Sequence, residues 1–115
     1  MNIQFERRPD GGVSVNVDTS ANPQARVVYD LLRDSEQRLD LLALGAEEAR
    51  HPELTTTDDY PFWSGNETVA QVLPEHVVIE NLWTEEKLFL SHADYIAFVE
   101  GYLTALAPEQ ASGPA

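Results

Sequence analysis

At 115 residues, with 43% hydrophobic and 9% aromatic side chains, the chain has the length of one domain and enough apolar bulk to bury a core without metals or crosslinks. It contains no cysteine, which excludes disulfides, thiolate metal sites, iron–sulfur clusters and cysteine nucleophiles together. Seven basic against twenty acidic side chains give a formal charge of −13, a surface that repels phosphate backbones and anionic membranes alike. No apolar run approaches the ~18–20 residues of a membrane span, and no charged-then-apolar leader opens the chain. The expectation is a cytoplasmic protein that binds neither nucleic acid nor membrane.

Residues 1–18 predict a β-hairpin. Ile3 and Phe5 alternate with polar neighbours, as do Val13, Val15 and Val17 after Pro9-Asp10-Gly11-Gly12. Period-two spacing on both sides of an Asp-Gly turn is a strong hairpin signal, but a lone hairpin is marginal and needs a partner later in the chain. Asn22-Pro23 then starts a long helix, read over 23–50. Val28, Leu32, Ser35, Leu39, Leu42, Ala46 and Ala49 form its inner stripe, widened by Val27, Leu31 and Leu41. Arg26 with Asp30, and Asp34 with Arg38, stand four apart on the outer face, where each pair adds a few tenths of a kcal/mol. Gly45 calls for a kink, a close packing contact or a break, since glycine costs about 1 kcal/mol in a helix interior. His51-Pro52 ends the helix.

Residues 52–66 combine turn formers with three aromatics and predict a partly buried loop. Strands are expected at 67–73, 76–83 and 87–90, with Val77-Val78-Ile79 apolar enough to be buried on both faces. Ser91 and Asp94 resemble a capping box, and Leu90 with Tyr95 a hydrophobic staple, at the start of a last helix. Tyr95, Ile96, Val99, Tyr102, Leu103 and Leu106 form its apolar face, beside a small-residue strip of Ala93, Ala97, Gly101 and Ala105. That strip suits close packing within the chain, or alternatively a homodimer seam. The order ββ-α-βββ-α predicts an α+β domain over 1–106: one mostly antiparallel sheet of about five strands with two helices packed on one face. Residues 107–115 read as a disordered tail.

Catalytic signatures are missing. His51, His76 and His92 lie on separate elements, and none stands four residues from another, so no metal is expected. Trp63-Ser64-Gly65 lacks the preceding glycine of a nucleophile elbow, and Gly11-Gly12 leads into a strand, which makes it no phosphate cradle. Carboxylate pairs are too abundant to single one out. The expectation is a protein that is not an enzyme and carries no cofactor.

Charge placement says more. Residues 1–50 hold six basic and nine acidic side chains, whereas residues 51–115 hold one and eleven, with Lys87 the sole cation. A focused negative field steers basic partners and raises association rates by roughly 10–10³. Tyr60, Phe62, Trp63 and Trp83 lie in the same half, and tyrosine and tryptophan are typical interface anchors. Asp58, Asp59, Tyr60, Trp63, Trp83, Glu85 and Glu86 are therefore the candidate contacts for a basic protein partner.

The opening hairpin (Ile3, Phe5, Gly12, Val13, Val15), the long helix, the Tyr60–Trp63 segment with Glu67 and Val69, and the stretch from Asn81 to Tyr102 resemble the small bacterial YacL-type family, with a shorter third quarter. That resemblance carries no activity and no functional residue. In size, acidity and element order the chain is also similar to immunity proteins of bacterial toxin systems, which neutralise a cognate toxin, often a nuclease. Together these expectations describe a non-catalytic acidic binding domain, in its sharpest form an inhibitor of a basic nuclease. Two other classes stay open. One is a small-molecule or metal-binding module with a pocket lined by Tyr60, Trp83 and Tyr102; the other is a self-associating structural protein.

Overall fold

The structure, a computed structural model, describes residues 3–20 and 22–106; the expected tail at 107–115 lies outside the described residues. Strands β1 (Ile3–Arg7) and β2 (Val13–Val17) form the expected hairpin, with Phe5 opposite Val15 and Ile3 opposite Val17. Gly11 takes a φ of +90° in its turn, a conformation open to glycine at little cost. The Asp10 carboxylate accepts the Gly12 amide at 2.8 Å.

The hairpin stays a separate two-stranded sheet, so the expected single five-stranded sheet is replaced by sheets of two and four strands. Its partner is the last helix, α3 (His92–Leu106). Phe5 stacks on Phe98 with ring centroids 6.3 Å apart and lies 6.1 Å from Tyr102. A Cβ at Gly101 would come within 2.8 Å of the Phe5 ring, so this member of the small-residue strip is what lets the hairpin approach. Ser91 caps α3 by accepting the Asp94 amide at 3.0 Å, and both staple residues, Leu90 and Tyr95, are buried.

The second sheet is an antiparallel meander of β3 (Trp63–Ser64), β4 (Thr68–Val72), β5 (Val77–Asn81) and β6 (Lys87–Leu90). Alternation fixes its two faces. Thr68, Ala70, Val72, Val77, Ile79, Asn81, Leu88 and Leu90 are buried on one; Val69, Gln71, Val78, Glu80, Lys87 and Phe89 are half-buried or exposed on the other. Val77-Val78-Ile79 is therefore covered on one face only, because the helices all serve the same side. β3 lies inside the segment expected to be loop; at two residues it is too short to show a period.

The expected long helix is broken. A 3-10 turn at Pro23–Arg26, started by Asn22, runs into α1 (Val27–Asp34), and α2 (Leu39–Ala49) begins anew after residues 35–38. Ser35 is fully buried and turns its hydroxyl back onto the Leu31 carbonyl at 2.6 Å, a bond that competes with helix propagation. The break serves packing: α1 lies on β4 and β5, while α2 lies on β3 and β4 and against α3, which one straight rod could not do.

Gly45 sits inside α2, where it admits the Phe62 ring: a Cβ there would lie 2.5 Å from Cε1. Of the three outcomes expected for this glycine, close packing is the one found. Gly45→Ala gains about 1 kcal/mol of helix propensity but loses about 1–3 to overpacking. Urea unfolding is expected to show a net loss, partly recovered when Phe62→Leu is added. A stabilised Gly45→Ala would mean that the ring yields freely.

Candidate protein-binding surface

The turn between β5 and β6 is built from buried polar chemistry. Alternation puts Asn81 on the covered face, where an amide must find partners. Its Oδ1 accepts the Trp83 and Thr84 amides at 2.8 and 3.0 Å. Its Nδ2 donates to Asp30 Oδ2 at 2.8 Å and to Glu67 Oε2 at 3.0 Å. Glu67 is buried too, and both its oxygens accept from Arg33 Nη2 at 2.8 Å. The Leu82 amide donates to the Glu67 carbonyl at 2.7 Å, joining this turn to the one between β3 and β4. Arg26 grips both Glu86 oxygens at 3.0 and 3.2 Å, and that hydrogen-bonded guanidinium holds the Glu86 carboxyl below the usual range. Glu85 adopts a φ of +64°, a region where a side chain is rare. The result is a fixed turn that displays Trp83 at 65% exposure, with Leu82 beside it.

A second set of bonds anchors the β3–β4 turn to α1. Asp34 Oδ2 accepts the Glu67 amide at 3.1 Å, the Thr68 amide at 2.9 Å and the Thr68 hydroxyl at 2.7 Å. Burial raises the Asp34 pKa, but the Thr68 hydroxyl and the two amides outweigh it and hold the carboxyl below its ordinary value. Thr68 Oγ1 in turn accepts Trp63 Nε1 at 2.9 Å. Trp63 is only 8% exposed, so it is a core residue and offers a partner almost no surface.

Asp58, Asp59 and Tyr60 lie elsewhere. Gln71 Nε2 donates to the Asp59 carbonyl at 2.7 Å, which places this loop beside the far half of β4 from Thr68 and Asn81. Asp59 ties the loop by accepting the Thr56 amide at 2.9 Å and the Thr56 hydroxyl at 3.2 Å. Tyr60 projects at 93% exposure. Against the end of α2 the loop forms a groove of about 460 Å³ lined by Glu47, Glu48, His51, Leu54, Thr55, Asp59 and Tyr60. The seven sequence-derived candidates thus fall into an 82–86 turn, a 58–60 loop and one buried indole. They are not one patch.

The holding is done by side chains that nothing in the sequence grouped together: Asp30, Arg33, Asp34, Glu67, Thr68 and Asn81. The expected Arg26–Asp30 and Asp34–Arg38 partnerships are replaced, since Arg26 goes to Glu86, Asp30 to Arg33 and Asn81, and Arg38 to Asp40. The signal was present in the strands, where period two puts Thr68 and Asn81 on the core side and obliges them to find partners. Tyr60 and Tyr102 line different cavities and Trp83 stands out on its turn, so the pocket imagined between these three does not form. His92 Nε2 donates to the Leu73 carbonyl at 2.7 Å, and the His76 ring meets Phe89 edge-on at 4.9 Å. Among the described residues, no group of three or more histidines and carboxylates is placed to hold a metal ion, and no helix is long and apolar enough to cross a membrane.

No family model, no curated protein and no solved structure matches this chain.

Proposed function

We propose that the protein is a non-catalytic acidic domain that binds a basic protein and covers it, in its sharpest form as the inhibitor of a nuclease whose active site carries lysines and arginines. The observation that carries this reading is Trp83, an indole 65% exposed on a turn held rigid by Asn81, Glu67 and Arg33, in a chain of net charge −13. A large apolar ring whose backbone is already ordered loses little entropy on binding, which is how interface anchors gain affinity. Glu85 beside it, with Asp58 and Asp59 on the other loop, supplies the charges that meet lysines and arginines, and Tyr60 adds a second exposed ring.

Steering makes a kinetic prediction. In Asp58→Lys with Glu85→Lys, the association rate with the basic partner is expected to fall by about tenfold or more at low salt. The gap should close as salt rises past the Debye regime. An unchanged rate and an unchanged salt slope, read by stopped-flow mixing, would show that these acids do not steer.

A further inference from the structure

The groove at the end of α2 has a composition that selects its occupant. Its rim is apolar and uncovered: Leu54 is 76% exposed and Tyr60 93%. Its walls are acidic, and the acids are not equally engaged. Glu47 is paired with Arg50 at 3.4 Å and has His51 at 3.6 Å, and Arg50 is further held by Glu100. Glu48 and Asp59 have no cation beside them among the described residues. Burial, and then the negative charge of Asp59, push the Glu48 carboxyl above its ordinary value, so the two acids repel each other across the groove. The position adds to this, because Glu47 and Glu48 stand in the last turn of α2, where the helix presents its negative end, and the C-cap Arg50 is engaged by Glu47 and Glu100. The groove thus holds like charges close together, an arrangement that a cation between them would relieve.

Resting on the reading above, we propose that this groove receives an arginine side chain of the basic partner, its guanidinium between Glu48 and Asp59 and lying on the Tyr60 ring, its methylene stem along Leu54. Arginine fits better than lysine because a planar guanidinium bonds two carboxylates in a fork and stacks on an aromatic face, whereas an ammonium is a compact, strongly hydrated point charge. Glu48 joins the candidate residues; in the sequence Glu47-Glu48 is one of several carboxylate pairs, and their abundance sets none of them apart. Trp83 and the groove become two separate contacts on one molecule.

The test titrates the whole protein with N-acetyl-arginine amide and with its neutral isostere N-acetyl-citrulline amide, following backbone and Tyr60 resonances by NMR. Saturable shifts confined to Glu48, Leu54, Asp59 and Tyr60 are expected with the arginine probe, and roughly fivefold or more weaker binding in Glu48→Gln and in Tyr60→Ala. Glu48→Gln removes a repelled charge and keeps the helix, so it serves where another variant fails to fold. Equal shifts with citrulline, shifts spread over all the acidic surface, or a Glu48→Gln that binds as the wild type would overturn it. A lysine probe that binds as well as arginine would overturn the choice of occupant. The groove and the broader reading fail differently: if Glu48→Gln and Tyr60→Ala leave a basic partner's affinity intact while Trp83→Ala weakens it, only the groove is wrong. If all three leave it intact, Trp83 falls as the anchor as well; a chain that binds no basic protein at all overturns the protein-binding reading.

Discussion

Replacing Asp34 with alanine is expected to lower stability by about 3 kcal/mol, because it removes the acceptor of three hydrogen bonds at a buried turn. Thr68 has no exposed surface, so its amide and hydroxyl have no water to turn to. The loss extends further, since the same hydroxyl orients Trp63 and the neighbouring Glu67 holds Arg33 and Asn81. Asp34→Asn keeps the shape and one acceptor and should lose about 1 kcal/mol. The two variants also differ in their response to acid. The Asp34 carboxyl is held below its ordinary value of 3.8, so its contribution to stability is full above that value and is lost as pH falls through the lower folded one. Urea midpoints should therefore fall steeply for the wild type below about pH 4 and less steeply for Asp34→Asn. An Asp34→Ala protein within a few tenths of a kcal/mol of wild type would show that the turn is held by something else.

Trp83→Ala is expected to raise the dissociation constant for the basic partner by roughly 30-fold, the equivalent of about 2 kcal/mol for losing an aromatic anchor. Stability should hardly move, since the ring is mostly in water and the turn's bonds run through the Trp83 backbone amide, which alanine retains. Trp63→Phe should do the reverse. It removes the bond to Thr68 and costs about 1 kcal/mol of folding stability while leaving affinity alone. Titration calorimetry and urea unfolding on the two variants separate the roles. Equal binding by Trp83→Ala and wild type would remove the anchor from the account.

The sequence made the elements plain where period and punctuation agreed. Val13, Val15 and Val17 after an Asp-Gly turn gave the hairpin, and Ser91 before Asp94 gave the start of the last helix. It hid what depends on contacts far along the chain. The helix break at Ser35 was invisible because the apolar stripe continues in phase through it, and only the shape of the surface beneath, shared between β5 and α3, obliges the chain to turn. The hairpin's partner was hidden for the same reason, since nothing local says that Phe5 meets Gly101. In the candidate site, exposure was the unreadable quantity. Trp63 and Trp83 both adjoin loops in the sequence, yet one is sealed by Thr68 while the other is lifted clear by Asn81. Membership of the same acidic half also misled about the acids, because the antiparallel register sends residues 58–60 and 82–86 toward opposite ends of β4.

The most direct test is affinity capture from native lysate over a salt series, with wild type, Trp83→Ala, and Asp58→Lys with Glu85→Lys as parallel baits. Wild type is expected to retain a basic protein at low salt and to release it as salt rises, and both variants are expected to lose it. Retention of the same proteins by all three baits, or of an acidic partner indifferent to salt, would contradict it.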